Sequence, residues 1–140
     1  MLAEHVGFTG TRKGMSFEQA QEVQRILSNL RGQGVAYFHH GDCQGSDELA
    51  HMLAHALEYS IIIHPPEIST HRAWCSSAVS IRGSKPYLVR NRDIVDESSL
   101  LIATPRESQM QLRSGTWSTV RYARMQRKPV HLVLPDGSLS

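Results

Sequence analysis

The chain has 140 residues, 40% hydrophobic and 20% charged, the size and balance of one globular domain spanning 1–140. Two cysteines, Cys43 and Cys75, are too few for a disulfide framework and fit a reducing, cytoplasmic setting. No apolar run reaches the ~18 residues of a membrane helix and none at the N-terminus reads as a signal peptide, so no membrane association is expected.

The net charge of +2 is uneven: residues 1–81 hold 8 acidic and 5 basic residues, whereas residues 82–140 hold 5 acidic and 10 basic. That bias suits an anionic ligand, but it falls short of the dense basic stripe of a duplex-DNA binder.

Strands and helices alternate along the chain. His5 to Thr9 reads as a short buried strand ending at Gly10. Ser16 opens a helix with Gln19 three residues on, a capping-box spacing. Phe17, Ala20, Val23, Leu27 and Leu30 recur at helical period, and Gly32 occupies the expected C-terminal cap. Val35 to Phe38 is a second strand. Gly45 and Ser46 open a second helix with Leu49, Ala50, Leu53 and Leu57 on its inner face. Ile61 to Ile63 is a third strand, stopped by Pro65 and Pro66. Residues 67–84 lack periodicity and read as a long loop of the kind that often serves function. Tyr87 to Val95 is helical, Ser99 to Ala103 a fourth strand, Gly115 to Lys128 a helix stopped by Pro129, and Val130 to Leu134 the last strand. The alternation predicts an α/β fold: a single Rossmann-like domain with a parallel sheet of about five strands and helices on both faces. Ligands bind beyond the carboxyl ends of such strands. Gly7 to Arg12, Gly41 to Asp47 and Thr104 to Gly115 should meet there.

Three turns carry the chemistry. In Gly7-Phe8-Thr9-Gly10-Thr11-Arg12, small residues after a strand let backbone N–H groups approach an anion, with Arg12 as a charged partner. The stretch lacks the Lys-Ser/Thr ending of a P-loop and is not the dinucleotide fingerprint. His40-Gly41-Asp42-Cys43-Gln44-Gly45-Ser46-Asp47 again joins strand to helix. Asp47 and Glu48 would repel a phosphate, but they suit ribose hydroxyls, a base amine or acid–base work. Arg113-Ser114-Gly115-Thr116-Trp117 opens a helix and forms an anion site of backbone and hydroxyl donors, with Trp117 read as core. Arg90 and Arg92 cannot share a helix face, so one is inward and one solvated. His51 and His55 have zinc-ligand spacing, but Met52 stands where a H-E-x-x-H motif has Glu, and neither a metal nor a cofactor is expected. No G-x-S-x-G elbow supports serine-nucleophile chemistry.

Taken in order, these turns resemble the SLOG superfamily, the Rossmann-like group of the Lonely-Guy phosphoribohydrolases and the DNA-processing protein A family. The resemblance runs from about Gly7 to Pro135. Gly7–Arg12 matches the first glycine turn, Gly41–Asp47 the second, and Gly115-Thr116 the late "GT" turn. The Lonely-Guy enzymes carry G-G-x-G-T-x-x-E with a catalytic glutamate, and an Arg-Lys pair on the preceding helix. Here Thr119 replaces the glutamate and Asn91 the lysine, while Arg90 matches the arginine. The resemblance implies a nucleotide-type ligand, a homo-oligomer, and binding without hydrolysis. The expected ligand contacts are Gly10, Thr11, Arg12, Gly41, Asp42, Gly45, Ser46, Asp47, Arg90, Arg113, Ser114, Gly115, Thr116 and Thr119. The alternative is a nucleoside 5'-monophosphate N-glycosidase in which Asp47 or Glu48 takes the place of the missing family glutamate and acts with the matched Arg90. A third reading, a single-stranded nucleic-acid binder, is disfavoured by only 6% aromatic residues and a modest charge.

Overall fold

In the computed structural model, which describes residues 4–140, ten elements follow one another: β1 (His5–Gly10), α1 (Phe17–Gly32), β2 (Tyr37–His40), α2 (Ser46–Ala56), β3 (Ser60–Ile63), β4 (Ser80–Ile81), α3 (Tyr87–Asp96), β5 (Leu100–Thr104), α4 (Gly115–Met125) and β6 (Val130–Leu132). Residues 1–3 of the expected domain lie outside the described residues. The strands form one parallel sheet in the order β4-β3-β2-β1-β5-β6. This is the expected α/β architecture with six strands rather than five. The sixth, β4, lies inside the segment read as loop; its two residues pair with β3 at the sheet edge and have no buried run that periodicity would reveal.

The core splits by face. Val6 and Phe8 of β1 pack with Val23, Leu27, Phe38, Ala50, Ala54 and Ile61 on the side of α1 and α2. Leu101 and Ala103 of β5 pack with Val95, Trp117, Val120 and Ala123 on the side of α3 and α4. Connections leading from β1 toward β3 therefore run over one face and those toward β6 over the other, as right-handed crossovers require.

The α1 capping box forms, Gln19 N–H donating to Ser16 Oγ at 3.0 Å and Ser16 N–H to Gln19 Oε1 at 2.9 Å. The same Gln19 amide reaches across the sheet ends, donating to Pro105 O at 2.8 Å and Val133 O at 3.0 Å. One polar residue thus starts the helix and ties down the strand ends that precede the cleft.

Several boundaries move. Phe17 is solvent-facing, and Gln19, Val23, Ile26, Leu27 and Leu30 form the inner stripe of α1. The left-handed residue after α1 is Gly34 rather than Gly32, because the helix runs to Gly32 before Gly34 and Val35 close it with hydrogen bonds to Arg31 O and Leu30 O. β2 starts two residues later than predicted and includes His39 and His40, both fully buried. α4 ends at Met125 rather than Lys128, the chain turning at Arg127 in a left-handed conformation.

Candidate functional site

The strand order reverses at β1, which has β2 on one side and β5 on the other. The crevice outside the carboxyl ends at such a switch point is the usual ligand site of this architecture. A cleft of about 630 Å³ opens there. Gly10, Thr11, Arg12 and Lys13 line it from the turn after β1, Arg106 and Glu107 from the chain leaving β5, and Arg113 to Thr116 from the start of α4. Gln44, His71 and Tyr87 close its side. An adjoining space of about 510 Å³ shares Arg12, His71, Tyr87, Arg113 and Gly115 and adds Cys43, Pro66, Glu67, Ile68 and Pro86. Together they form one cleft with a cationic end and a more apolar end, meeting at Tyr87.

Local sequence accounts for the cationic end. Ser114 caps α4, its Oγ accepting Trp117 N–H at 3.2 Å, and the buried indole of Trp117 anchors the helix start in the core. The remaining first-turn N–H groups of α4 have no acceptor within the helix, and the positive end of its dipole lies at the cleft. Gly115 leaves space for its neighbour: a Cβ there would stand 2.8 Å from the Tyr87 ring and push the ring aside.

The second turn scaffolds the first. Ser46 donates to Thr11 O twice, from its N–H at 3.2 Å and its hydroxyl at 2.7 Å. Gly45 sits at φ +87° with its would-be Cβ 2.2 Å from Arg12 O, so no side chain fits between the turns. Asp42 is fully buried and faces away from the cleft. Its carboxylate accepts Arg72 Nε–H at 2.8 Å and Cys75 N–H at 2.9 Å, which fixes the segment carrying His71. Asp47 accepts Cys43 N–H at 3.1 Å, and burial raises its pKa to about 6. Arg90 is the inward arginine of its helix. Its guanidinium donates to Gly41 O, to His64 O at 3.1 Å and to Asn91 Oδ1 at 2.8 Å. Arg92 is outside, over the Tyr122 ring.

Of the sequence-predicted contacts, Gly10, Thr11, Arg12, Arg113, Ser114, Gly115 and Thr116 come together along the cleft. Gly41, Asp42, Gly45, Ser46, Asp47 and Arg90 lie behind it, where their polar groups are consumed by the turn itself. Asp47 and Arg90 meet Gly10 and Tyr87 around a void of about 10 Å³, room for one water at most. Glu48 is exposed on α2. Thr119 is buried, donates to Gly115 O at 2.9 Å, and borders a groove between α3 and α4 instead. Sequence reading missed Lys13, Gln44, His71, Tyr87, Arg106 and Glu107. Arg106 and Glu107 are the first charges after β5 and were open to discovery by position, whereas His71 and Tyr87 arrive from segments with no strand-end signal.

Five of the eight histidines form two chains, buried except at His5. Asp42 N–H donates to His40 Nδ1 at 2.9 Å, so the His40 proton sits on Nε2 and is given to His51 Nδ1, also at 2.9 Å. His40, His51 and Cys75 are close enough to share a metal, but that proton leaves His40 Nε2 without a free lone pair for one. On the opposite face, His5 Nδ1 lies 2.8 Å from His39 Nε2, and His39 Nδ1 lies 2.9 Å from His64 Nε2. His64 Nδ1 in turn lies 4.0 Å from Glu97, and His39, His64 and Glu97 form a second group within metal-ligand distance. Burial pushes His39 and His40 down to about 3 and His64 down to about 4.

No protein-family model matches the chain, nor does any curated protein sequence. Solved structures do share its fold. The molybdenum cofactor binding protein of the phototrophic bacterium Rippkaea orientalis aligns with a TM-score of 0.73 at 20% identity, over 96% of this chain and 78% of that one. The molybdenum cofactor carrier protein of Chlamydomonas reinhardtii gives 0.67 at 18%, over 92% and 75%. The structural-genomics target TM1055 gives 0.67 at 15%, over 91% and 72%. No helix among the described residues is long and apolar enough to cross a membrane.

Proposed function

We propose that this chain binds a nucleotide or nucleotide-derived ligand in the cleft at the carboxyl edge of the sheet. Its phosphate end lies against Gly10–Arg12 and Ser114–Thr116, and its planar end lies toward Tyr87, Pro66 and Ile68. One observation carries this reading: Arg12, Arg113 and the start of α4 converge on a single cleft at the topological switch point. Two structural neighbours are described as binding or carrying the molybdenum cofactor, which is in keeping with a small-ligand role on this fold. Native mass spectrometry of protein purified from cells tests the proposal by weighing a retained ligand, and calorimetry with nucleotides tests it in solution. An absence of both retained and added ligand would overturn it.

The reading is one of binding without turnover. Thr119 stands where the resembled hydrolases have their glutamate, Asp47 is turned into the protein beneath the cleft, and Glu48 faces solvent. A second reading, an N-glycosidase, is favoured by one observation: Glu107 places a carboxylate on the cleft wall. Glycosidic cleavage needs such a group. Chromatography for free base after incubation with nucleoside monophosphates separates the two readings. Base release abolished by Glu107→Gln would establish the second.

A further inference from the structure

We infer that the ligand of this cleft carries about three or more negative charges, as a nucleoside diphosphate or longer polyphosphate does, rather than the roughly two of a monophosphate. The inference rests on the nucleotide reading above and deepens it.

The distribution of unsatisfied cations carries it. The chain has 15 lysines and arginines, all among the described residues. Four pair with carboxylates. Three donate to backbone carbonyls, and two lie over tyrosine rings. Six engage none of these, and four of the six, Arg12, Lys13, Arg106 and Arg113, line the one cleft. The other two, Arg124 and Arg127, lie toward the end of α4, away from it.

Outside the cleft nine of eleven cations are engaged internally, whereas all four that line it lack partners. Like charges sharing a cavity repel one another, and the helix terminus beside them adds to the positive potential. Glu107 is the single carboxylate among these lining residues, so a net excess of about three positive charges faces the ligand. A monophosphate at Arg12 and Arg113 would leave Lys13 and Arg106 without a counter-charge. A chain of phosphates extending toward Arg106 would meet all four. Glu67 borders the opposite, more apolar end, which further directs anionic groups toward Arg106.

The test is calorimetry on the whole chain with the mono-, di- and triphosphates of one nucleoside and with inorganic pyrophosphate, at low and high salt. The diphosphate is expected to bind about tenfold or more tighter than the monophosphate, the increment of one added charge-assisted contact. Its affinity should fall more steeply with salt. Arg106→Gln should narrow that preference, and Lys13→Gln should narrow it independently. Arg124→Gln removes the same charge outside the cleft and should leave the preference intact. Equal affinity for mono- and diphosphate overturns the inference while the nucleotide reading stands. Equal losses in Arg106→Gln and Arg124→Gln overturn it as well, because net charge alone would then be responsible. Pyrophosphate binding as tightly as the nucleoside diphosphate supports the polyanion and overturns the role of the nucleoside. Binding by none of the four overturns the nucleotide reading itself.

Discussion

Acidification from pH 8 to pH 5.5 should destabilise this protein strongly. His39 and His40 are fully buried, His64 is nearly so, and each sits in a chain of N–H···N hydrogen bonds, with both ring nitrogens of His39 and His40 already engaged. Their folded pKa values lie at about 3, 3 and 4, below the unfolded value of 6.5. Between those limits the unfolded chain binds more protons than the folded one, so stability rises with pH. The contribution is complete above about 6.5 and is lost as pH falls toward 4 and 3. At pH 5.5, one unit below the unfolded value, each histidine takes away about 1.4 kcal/mol, and this holds for any folded pKa well below 5.5. Three together take about 4 kcal/mol. Asp47 acts in the opposite sense: its pKa is raised to about 6, so its burial penalty relaxes as it protonates. That returns a little under 1 kcal/mol over the same interval, leaving a net loss of about 3 kcal/mol. Against a typical stability of about 5–15 kcal/mol this is a large fraction. With a urea dependence of about 2 kcal/mol per molar, the midpoint should fall by about 1.5 M. Equal midpoints at the two pH values would refute the reasoning, because they would mean that the buried histidines accept protons without cost.

Other outcomes follow from single contacts. Arg12→Ala should weaken nucleotide binding by about 1.5–3 kcal/mol in calorimetry, with no change in thermal stability. Gly115→Ala places a methyl 2.8 Å from the Tyr87 ring; it should displace the ring and lower ligand affinity more than it lowers the urea midpoint. Gln19→Ala removes the side-chain half of the α1 capping box and leaves Pro105 O and Val133 O without the Gln19 donor. About 2–4 kcal/mol of stability should be lost, read by denaturation. The unaltered protein and Asp47→Asn alike should release no base from nucleoside monophosphates, and the substitution should flatten the part of the stability–pH curve near pH 6 where the carboxyl titrates.

The architecture was legible because it rests on signals that tertiary contacts reinforce. Ser16 and Gln19 announced α1 from their spacing alone, and the glycine-rich turns after β1 and β2 stood out against buried runs. The failures have a common physical origin. His39 and His40 look like the opening of a polar turn, yet they are strand residues, because each imidazole finds another imidazole to bond with and is satisfied without water. β4 exists only through its pairing with β3, so nothing local marks it. Phe17 falls on the apolar period of α1 but precedes the turn where the helix meets the core, and it remains exposed.

The site divides in the same way. A strand-end turn presents groups on two sides, and sequence cannot tell which side faces a ligand. After β1 the backbone carbonyl of Thr11 points inward to Ser46, and Arg12 is left for the cleft. After β2 the polarity inverts: Asp42 and Asp47 turn inward to hold Arg72, Cys75 and Cys43, and only the uncharged Cys43 and Gln44 reach the cleft. The inversion has an electrostatic rationale. Carboxylates at the cleft surface would oppose an anion, whereas the same carboxylates behind it order the backbone that presents Arg12 and His71. Arg90 completes the arrangement by satisfying Gly41 O and His64 O from below, so its charge is spent on the scaffold while the four exposed cations line the cleft. A turn that reads as a binding motif in sequence thus serves by being rigid, and of the four cations that line the cleft Arg12 and Arg113 belong to glycine-rich turns while Lys13 and Arg106 have no motif around them.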